Sequence, residues 1–113
     1  MIVPQAILYL ALAIVFEVGG TICLRLSHGF SKWPYVLGIC MGYSLAFWLL
    51  SLSLKLGMPL GMAYAIWSGL GTAIIAIIGV YLFKEPLFLI QWCGIALIMG
   101  GVVLLNLGGK IAQ

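Results

Sequence analysis

The distribution of charge constrains this chain most, because long stretches of the sequence contain almost no charged residue. Only 6% of the 113 residues are charged, whereas 65% are hydrophobic. A soluble domain carries about 25% charged residues, so this chain lacks a solvated surface and lipid must act as its solvent. The charges leave four apolar stretches, at residues 1–24, 33–54, 56–83 and 86–109, and Glu17 alone interrupts the first.

Each apolar stretch is long enough to cross a bilayer, since about 20 helical residues span the hydrocarbon core. Glycine and proline mark the breaks, at Gly29, Gly57, Pro59 and Pro86, and these residues end one helix and start the next. We therefore predict an all-α, multi-pass protein of the cell (inner) membrane. It should form a single domain over residues 1–113, with transmembrane helices at about 3–25, 33–54, 58–83 and 86–108.

The basic residues are scattered singly, so they form no face for nucleic acid and are typical of the flanks of membrane segments. Three of them (Arg25, Lys32 and Lys84) fall on one side of the predicted topology and two (Lys55 and Lys110) on the other. By the positive-inside rule, so even a balance permits insertion in both orientations, and therefore an antiparallel dimer. Transporters often use two inverted halves, and two oppositely inserted copies would supply them.

Residue sets for enzymatic chemistry are missing from the sequence. There is no Ser/His/Asp combination, phosphate-binding loop or metal-ligand spacing. The odd number of cysteines, Cys23, Cys40 and Cys93, all in apolar runs, favours small core residues over disulfides or metal ligands. We predict no enzyme, no metal and no cofactor. The N-terminus lacks a basic segment typical of a secretory signal, so we expect it in the mature protein.

Glu17 is the acidic residue that cannot be placed at the end of an apolar segment. A charged side chain in the middle of a membrane helix costs about 2.5–3.5 kcal/mol on insertion scales, so such residues usually have a function. Helical spacing puts Ala13, Gly20 and Thr21 on the same face. These small residues predict room beside the carboxylate for a ligand or a neighbouring backbone. The alternative is a hydrogen-bonded packing contact between helices.

The third predicted helix carries an aromatic and polar face that consists of Tyr64, Trp67 and Ser68. Such rings attract an organic cation by about 2 kcal/mol when desolvated, and the Tyr64 phenol can also donate to Glu17. On the second helix, Tyr43 and Phe47 are expected to line the same site. The alternative for all these aromatic residues is packing or lipid contact.

Glycines in the third and fourth helices suggest two further features. Gly69 and Gly71 lie in the interior of the third helix, where they allow a bend for alternating access or, equally, close helix packing. Gly94 and Gly101 lie one heptad apart on the fourth helix and predict a seam for a partner helix. We interpret this seam as the dimer contact.

Four motifs together resemble the small multidrug resistance transporters over essentially the whole chain. The third, Pro-Leu-Gly-Met-Ala-Tyr-Ala-Ile-Trp-Ser-Gly-Leu-Gly, is the most specific. The others begin with Phe-Glu-Val-Gly-Gly-Thr, with Tyr-Ser-Leu-Ala-Phe-Trp, and with the first glycine of the fourth helix. The motifs occupy residues 16–30, 43–51, 59–71 and 94–101.

The resemblance implies an antiparallel dimer that exchanges protons for organic cations through paired membrane glutamates. Glu17 matches that glutamate, Tyr64 and Trp67 match the substrate-site aromatics, and Gly94 and Gly101 match the dimerisation motif. We expect a homodimer.

Two positions favour the quaternary-ammonium and multidrug branch of the family. Guanidinium exporters carry tryptophan where this chain has Gly20, and serine where it has Ala46. A guanidinium or polyamine exporter, one subunit of a heterodimeric transporter, and a non-transporting membrane assembly subunit are the alternatives.

Overall fold

The computed structural model describes the backbone of residues 3–112 and the side chains of residues 3–108. It contains α1 (Pro4–Leu26), α2 (Trp33–Lys55), α3 (Leu60–Leu82) and α4 (Leu89–Ala112), and the described backbone includes no strand. All four helices are long and apolar enough to cross a membrane, α4 over Leu89–Gly108. The predicted all-α, four-span membrane architecture is confirmed.

Prolines mark the starts of the first three helices. Pro4 and Pro34 lie in the first turns of α1 and α2, and Pro59 directly precedes α3. The fixed backbone angle of proline suits these positions, where its missing N–H is no loss. The sequence therefore predicts these starts closely.

The start of α4 differs from the expected position. The helix begins at Leu89 rather than at Pro86, and the loop before it is correspondingly longer. Lys84 adopts a left-handed backbone conformation with φ 55°, which breaks the helical path. The Phe88 N–H then donates to the Gln91 side-chain oxygen at 2.8 Å, which caps the first turn.

The chain forms two compact units, each a pair of helices joined by a short loop: α1 with α2, and α3 with α4. The single domain over residues 1–113 stays a prediction.

In the first pair, glycines bring the two helix backbones together. A Cβ atom on Gly42 would lie 2.8 Å from the Phe16 carbonyl oxygen and 3.0 Å from the Gly20 nitrogen. Only a residue without a side chain permits so close an approach.

Two buried serines satisfy main-chain groups in the first pair. The Ser53 hydroxyl of α2 donates to the Ala6 carbonyl of α1 at 2.6 Å, and Ser53 is fully buried. In the first loop, the buried Ser27 hydroxyl donates to the Leu24 carbonyl and accepts from the Phe30 N–H. Buried polar groups need such internal partners in a membrane, where water cannot replace them.

The second pair packs closely at Gly69 of α3. A Cβ atom there would lie 2.6 Å from Val102 Cγ2 and 3.2 Å from Ile98 Cγ2, both on α4. None of the α4 side chains that the structure describes is buried.

The sequence analysis predicted that all three cysteines are core residues, and this prediction is wrong for two of them. Cys40 and Cys93 are exposed and only Cys23 is half-buried, because lipid-facing positions are as apolar as the core.

Candidate functional site

The Glu17 carboxylate is half-buried on α1 and has a hydroxyl partner one turn further along the helix. Thr21 Oγ1 donates to Glu17 Oε1 at 2.9 Å. The helix repeat places residues four apart on the same face, so the two side chains meet without distortion of α1. A hydrogen bond to an ionised acceptor is about twice as strong as a neutral one.

Tyr43 of α2 extends this hydrogen bond into a chain of three groups. Its phenolic oxygen lies 2.8 Å from Thr21 Oγ1. An ionised carboxylate only accepts, so Thr21 must use its single proton on Glu17. When Glu17 is ionised, the Tyr43 O–H therefore donates to Thr21, and the order of donation is Tyr43 to Thr21 to Glu17.

The space beside Gly20 is filled by α2. A Cβ atom on Gly20 would lie 3.2 Å from two carbons of the Tyr43 ring, and Gly42 packs against the Gly20 backbone. Ala13 is fully buried on the same helix. Of the two possibilities that the sequence left open beside Glu17, the structure shows a neighbouring helix at Gly20. A single sequence gave no indication of which helix would cover this glycine.

The α3 aromatic residues form a pair with unequal exposure. The Tyr64 and Trp67 ring centroids lie 5.9 Å apart at 73°, an edge-to-face arrangement. Trp67 is 7% exposed, whereas Tyr64 is 59% exposed. Ser68 is exposed as well, so Trp67 is the buried residue of the predicted face and Tyr64 and Ser68 are exposed.

The predicted site residues thus fall into two groups, one on each helix pair. Thr21 and Tyr43 are joined to Glu17 by hydrogen bonds, and Phe47 of α2 is 59% exposed. Convergence of this group with the α3 aromatics stays a prediction.

The predicted hinge glycines both lie inside a continuous helix. Gly69 packs closely against α4, which accounts for a glycine there through packing. Gly71 is also buried. A bend at either position stays a prediction.

The α4 glycines at residues 94–108 have open space around them. A Cβ atom on Gly94 or Gly101 would meet no atom of the described chain within 4 Å. Gly108, one heptad further along, is equally open and extends the seam beyond the predicted pair. The same repeat spacing could have identified it from the sequence.

The sequence pattern did not single out Gly42, although this glycine packs against the α1 backbone at Phe16 and Gly20. Its signal was a glycine inside an apolar helix, which often marks helix contact.

Four membrane-spanning helices with an ionisable, hydrogen-bonded group inside one span are typical of polytopic membrane proteins that move ions or small substrates. The family model for the Small Multidrug Resistance protein matches residues 5–98. The chain therefore belongs to the small multidrug resistance family, as its motifs indicated. It is a multi-pass membrane protein, and the name of the family indicates a multidrug transporter.

Three curated relatives illustrate the similarity. The multidrug resistance protein EbrB of Bacillus subtilis (strain 168) is 50% identical over 103 residues, which cover 90% of this chain and 86% of the relative. EbrA of the same strain is 46% identical over 99 residues, 88% of this chain and 93% of the relative. Mmr of Mycobacterium tuberculosis (strain CDC 1551 / Oshkosh) is 45% identical over 103 residues, which cover 90% of this chain and 95% of the relative.

Proposed function

We propose that this chain is a subunit of a proton-coupled antiporter that exports small or hydrophobic organic cations by alternating access. Proton and cation compete for Glu17. The observation that carries the proposal is the half-buried carboxylate of α1, held by a hydroxyl donor within a membrane span. Such groups mark substrate and proton pathways in membrane proteins.

The hydrogen bonding of Glu17 leaves capacity for a ligand. A carboxylate offers about four lone-pair positions, and the Thr21 hydroxyl occupies one of them. A proton or a cation can therefore bind while the hydrogen bond from Thr21 stays in place. Because both neutralise the same charge, binding of one weakens binding of the other. This competition couples their exchange without a separate device.

The Tyr64 and Trp67 pair supplies the second part of the proposed site. Aromatic faces attract quaternary ammonium and other organic cations, most strongly when water is excluded. The buried Trp67 is held edge-to-face by Tyr64, and the exposed Tyr64 ring remains available to a ligand. We propose that these rings contribute to cation binding, as Glu17 does, with Phe47 and Ser68 as further lining residues.

We propose an antiparallel dimer whose subunits meet along the α4 seam. Gly94 and Gly101 present backbone to open space, and a partner helix can approach them closely. A homodimer suits the near-even distribution of basic residues. The alternative is a pair of different subunits, since one strain of Bacillus subtilis has two relatives of this chain, EbrA and EbrB.

The quaternary-ammonium and multidrug type of substrate is favoured over guanidinium. The names of the relatives say multidrug resistance. The Gly20 backbone seats the Tyr43 ring, so the tryptophan that guanidinium exporters carry there could not be accommodated without moving that ring. This packing supports a substrate other than guanidinium.

Transport in proteoliposomes under an imposed pH gradient tests the function. We expect uptake of a labelled tetraalkylammonium by the wild-type protein and loss of gradient-driven uptake in Glu17→Gln. Glu85→Gln is the matched control, because it removes the same charge from the loop before α4, and its uptake should equal that of the wild type.

Three results would contradict the proposal. Undiminished gradient-driven uptake by Glu17→Gln would exclude proton and cation competition at this residue. Cation flux that ignores the pH gradient would indicate a passive channel. Absence of cation binding to the purified wild-type protein would indicate an assembly subunit.

A further inference from the structure

The Thr21 and Tyr43 hydroxyls form a relay that ends on the Glu17 carboxylate. We propose that Thr21 and Tyr43 are positioning residues of the exchange reaction: Thr21 holds the carboxylate in its cation-binding state, and Tyr43 acts on Glu17 only through Thr21. This inference rests on the proposed function, because it assigns how the binding carboxylate is controlled. It assigns Tyr43 a role other than lining the cation site.

The geometry supports a chain rather than two separate contacts. The two oxygen separations, 2.9 Å from Thr21 to Glu17 and 2.8 Å from Tyr43 to Thr21, are normal hydrogen-bond lengths. Each hydroxyl carries one proton and can accept another. A donor behind Thr21 polarises its hydroxyl and strengthens its bond to the carboxylate.

Packing fixes the far end of the relay. The Tyr43 ring lies against the bare backbone of Gly20, where a Cβ atom would be 3.2 Å from the ring carbons. The ring is therefore seated on α1 by contact as well as by its hydrogen bond. As a result, a residue of α2 determines where the Thr21 hydroxyl on α1 points.

The relay persists when Glu17 is protonated, but it is stronger on the ionised carboxylate, because a hydrogen bond to a charged acceptor is about twice as strong as a neutral one. When Glu17 is ionised, donation runs from Tyr43 to Thr21 to Glu17. When Glu17 takes up a proton, its own O–H can donate to Thr21, and Thr21 can donate to the Tyr43 oxygen. The hydrogen bonds are then kept with their direction reversed, because each hydroxyl is both donor and acceptor.

Cation binding to the purified dimer or monomer in lipid nanodiscs tests the relay, with a tetraalkylammonium as the probe at one fixed pH. Thr21→Val keeps the shape and removes the hydroxyl, and we expect a Kd about tenfold weaker, as for loss of a hydrogen bond to a charged group. Thr21→Ser keeps the hydroxyl, and its Kd should stay within about twofold of the wild type. This rescue separates the hydroxyl from the bulk of the side chain.

A double-mutant cycle tests whether Tyr43 acts through Thr21. Tyr43→Phe should weaken the Kd by about threefold in the wild-type background, because it removes one donor and leaves the ring seated. In the Thr21→Val background the same change should have no effect. The carboxyl ¹³C resonance of Glu17 should move in Thr21→Val and Tyr43→Phe and stay in place in Thr21→Ser.

Each remaining outcome is decisive. If Tyr43→Phe weakens binding equally in both backgrounds, Tyr43 contacts the cation directly and the relay is refuted. Equal Kd values for Thr21→Val and Thr21→Ser also refute it. Glu17→Gln in the same assay distinguishes the two proposals. If this variant still binds the cation, the proposed function is overturned. If it loses cation binding while Thr21→Val binds the cation as tightly as the wild type, only the relay is overturned.

Discussion

Replacement of Gly42 by alanine should loosen the α1–α2 pair beside the Glu17 site. The added methyl carbon would lie 2.8 Å from the Phe16 carbonyl oxygen and 3.0 Å from the Gly20 backbone. Atoms of a helix backbone cannot rotate away, as the end of a flexible side chain can. The two helices must therefore separate, or one of them must shift along the other.

The size of the effect follows from a comparison with Gly19 on α1. A Cβ atom on Gly19 would meet no atom of the described chain within 4 Å. Alanine is intrinsically favoured over glycine in a helix by about 1 kcal/mol, and this gain applies to both positions. It cancels in the difference between the two variants. The remainder is the overpacking penalty at Gly42, about 1–3 kcal/mol, and the backbone contact favours the upper part of that range.

Reversible unfolding of both purified variants in mixed micelles, by titration with a denaturing detergent and circular dichroism, measures this difference. Gly19→Ala should be as stable as the wild type or more stable, and Gly42→Ala less stable than Gly19→Ala by the amount above. Gly20→Ala should fall between them, because the Tyr43 ring can tilt away. Equal unfolding midpoints for Gly19→Ala and Gly42→Ala would refute the close backbone contact.

Three further predictions concern other contacts of the two helix pairs. Ser53→Ala removes a buried hydrogen bond to an α1 carbonyl and should lower the free energy of unfolding by about 1–3 kcal/mol. The control Ser51→Ala changes an exposed residue and should leave the free energy of unfolding almost unchanged. Equal values for the two variants would contradict the interhelical bond. Gly69→Ala should destabilise the α3–α4 pair, and Val102→Ala should restore stability because it removes the clashing methyl group; an absence of rescue would contradict that packing. Gly101→Leu should abolish cross-linking between subunits without changing the helix content, since the chain itself leaves that position open; an intact dimer would exclude the seam.

Helix number and approximate limits were predictable because the signals are local. Twenty or more apolar residues between charges specify a membrane helix whatever the tertiary structure is, and proline specifies a first turn. The start of α4 was less accessible, because it depends on the left-handed conformation at Lys84 and on the side-chain cap by Gln91. Neither follows from hydropathy.

The facing of side chains was the part that the sequence could not specify. In a soluble helix an apolar stripe marks the core, whereas in lipid both faces are apolar. Cys40 and Cys93 were therefore assigned to the core although they are exposed. For the same reason, the periodicity placed Gly20 beside Glu17 but did not identify Tyr43 as the residue that covers it.

Under the proposed function, the energetic cost of an ionised Glu17 accounts for the binding of a ligand there. A charged side chain at the middle of a membrane span costs about 2.5–3.5 kcal/mol by insertion scales. One hydrogen bond to a charged group returns about 1.5–3 kcal/mol, so the Thr21 bond offsets most of that cost and leaves a remainder. In the proposed exchanger, a bound proton or organic cation would offset this remainder, because either of them neutralises the carboxylate.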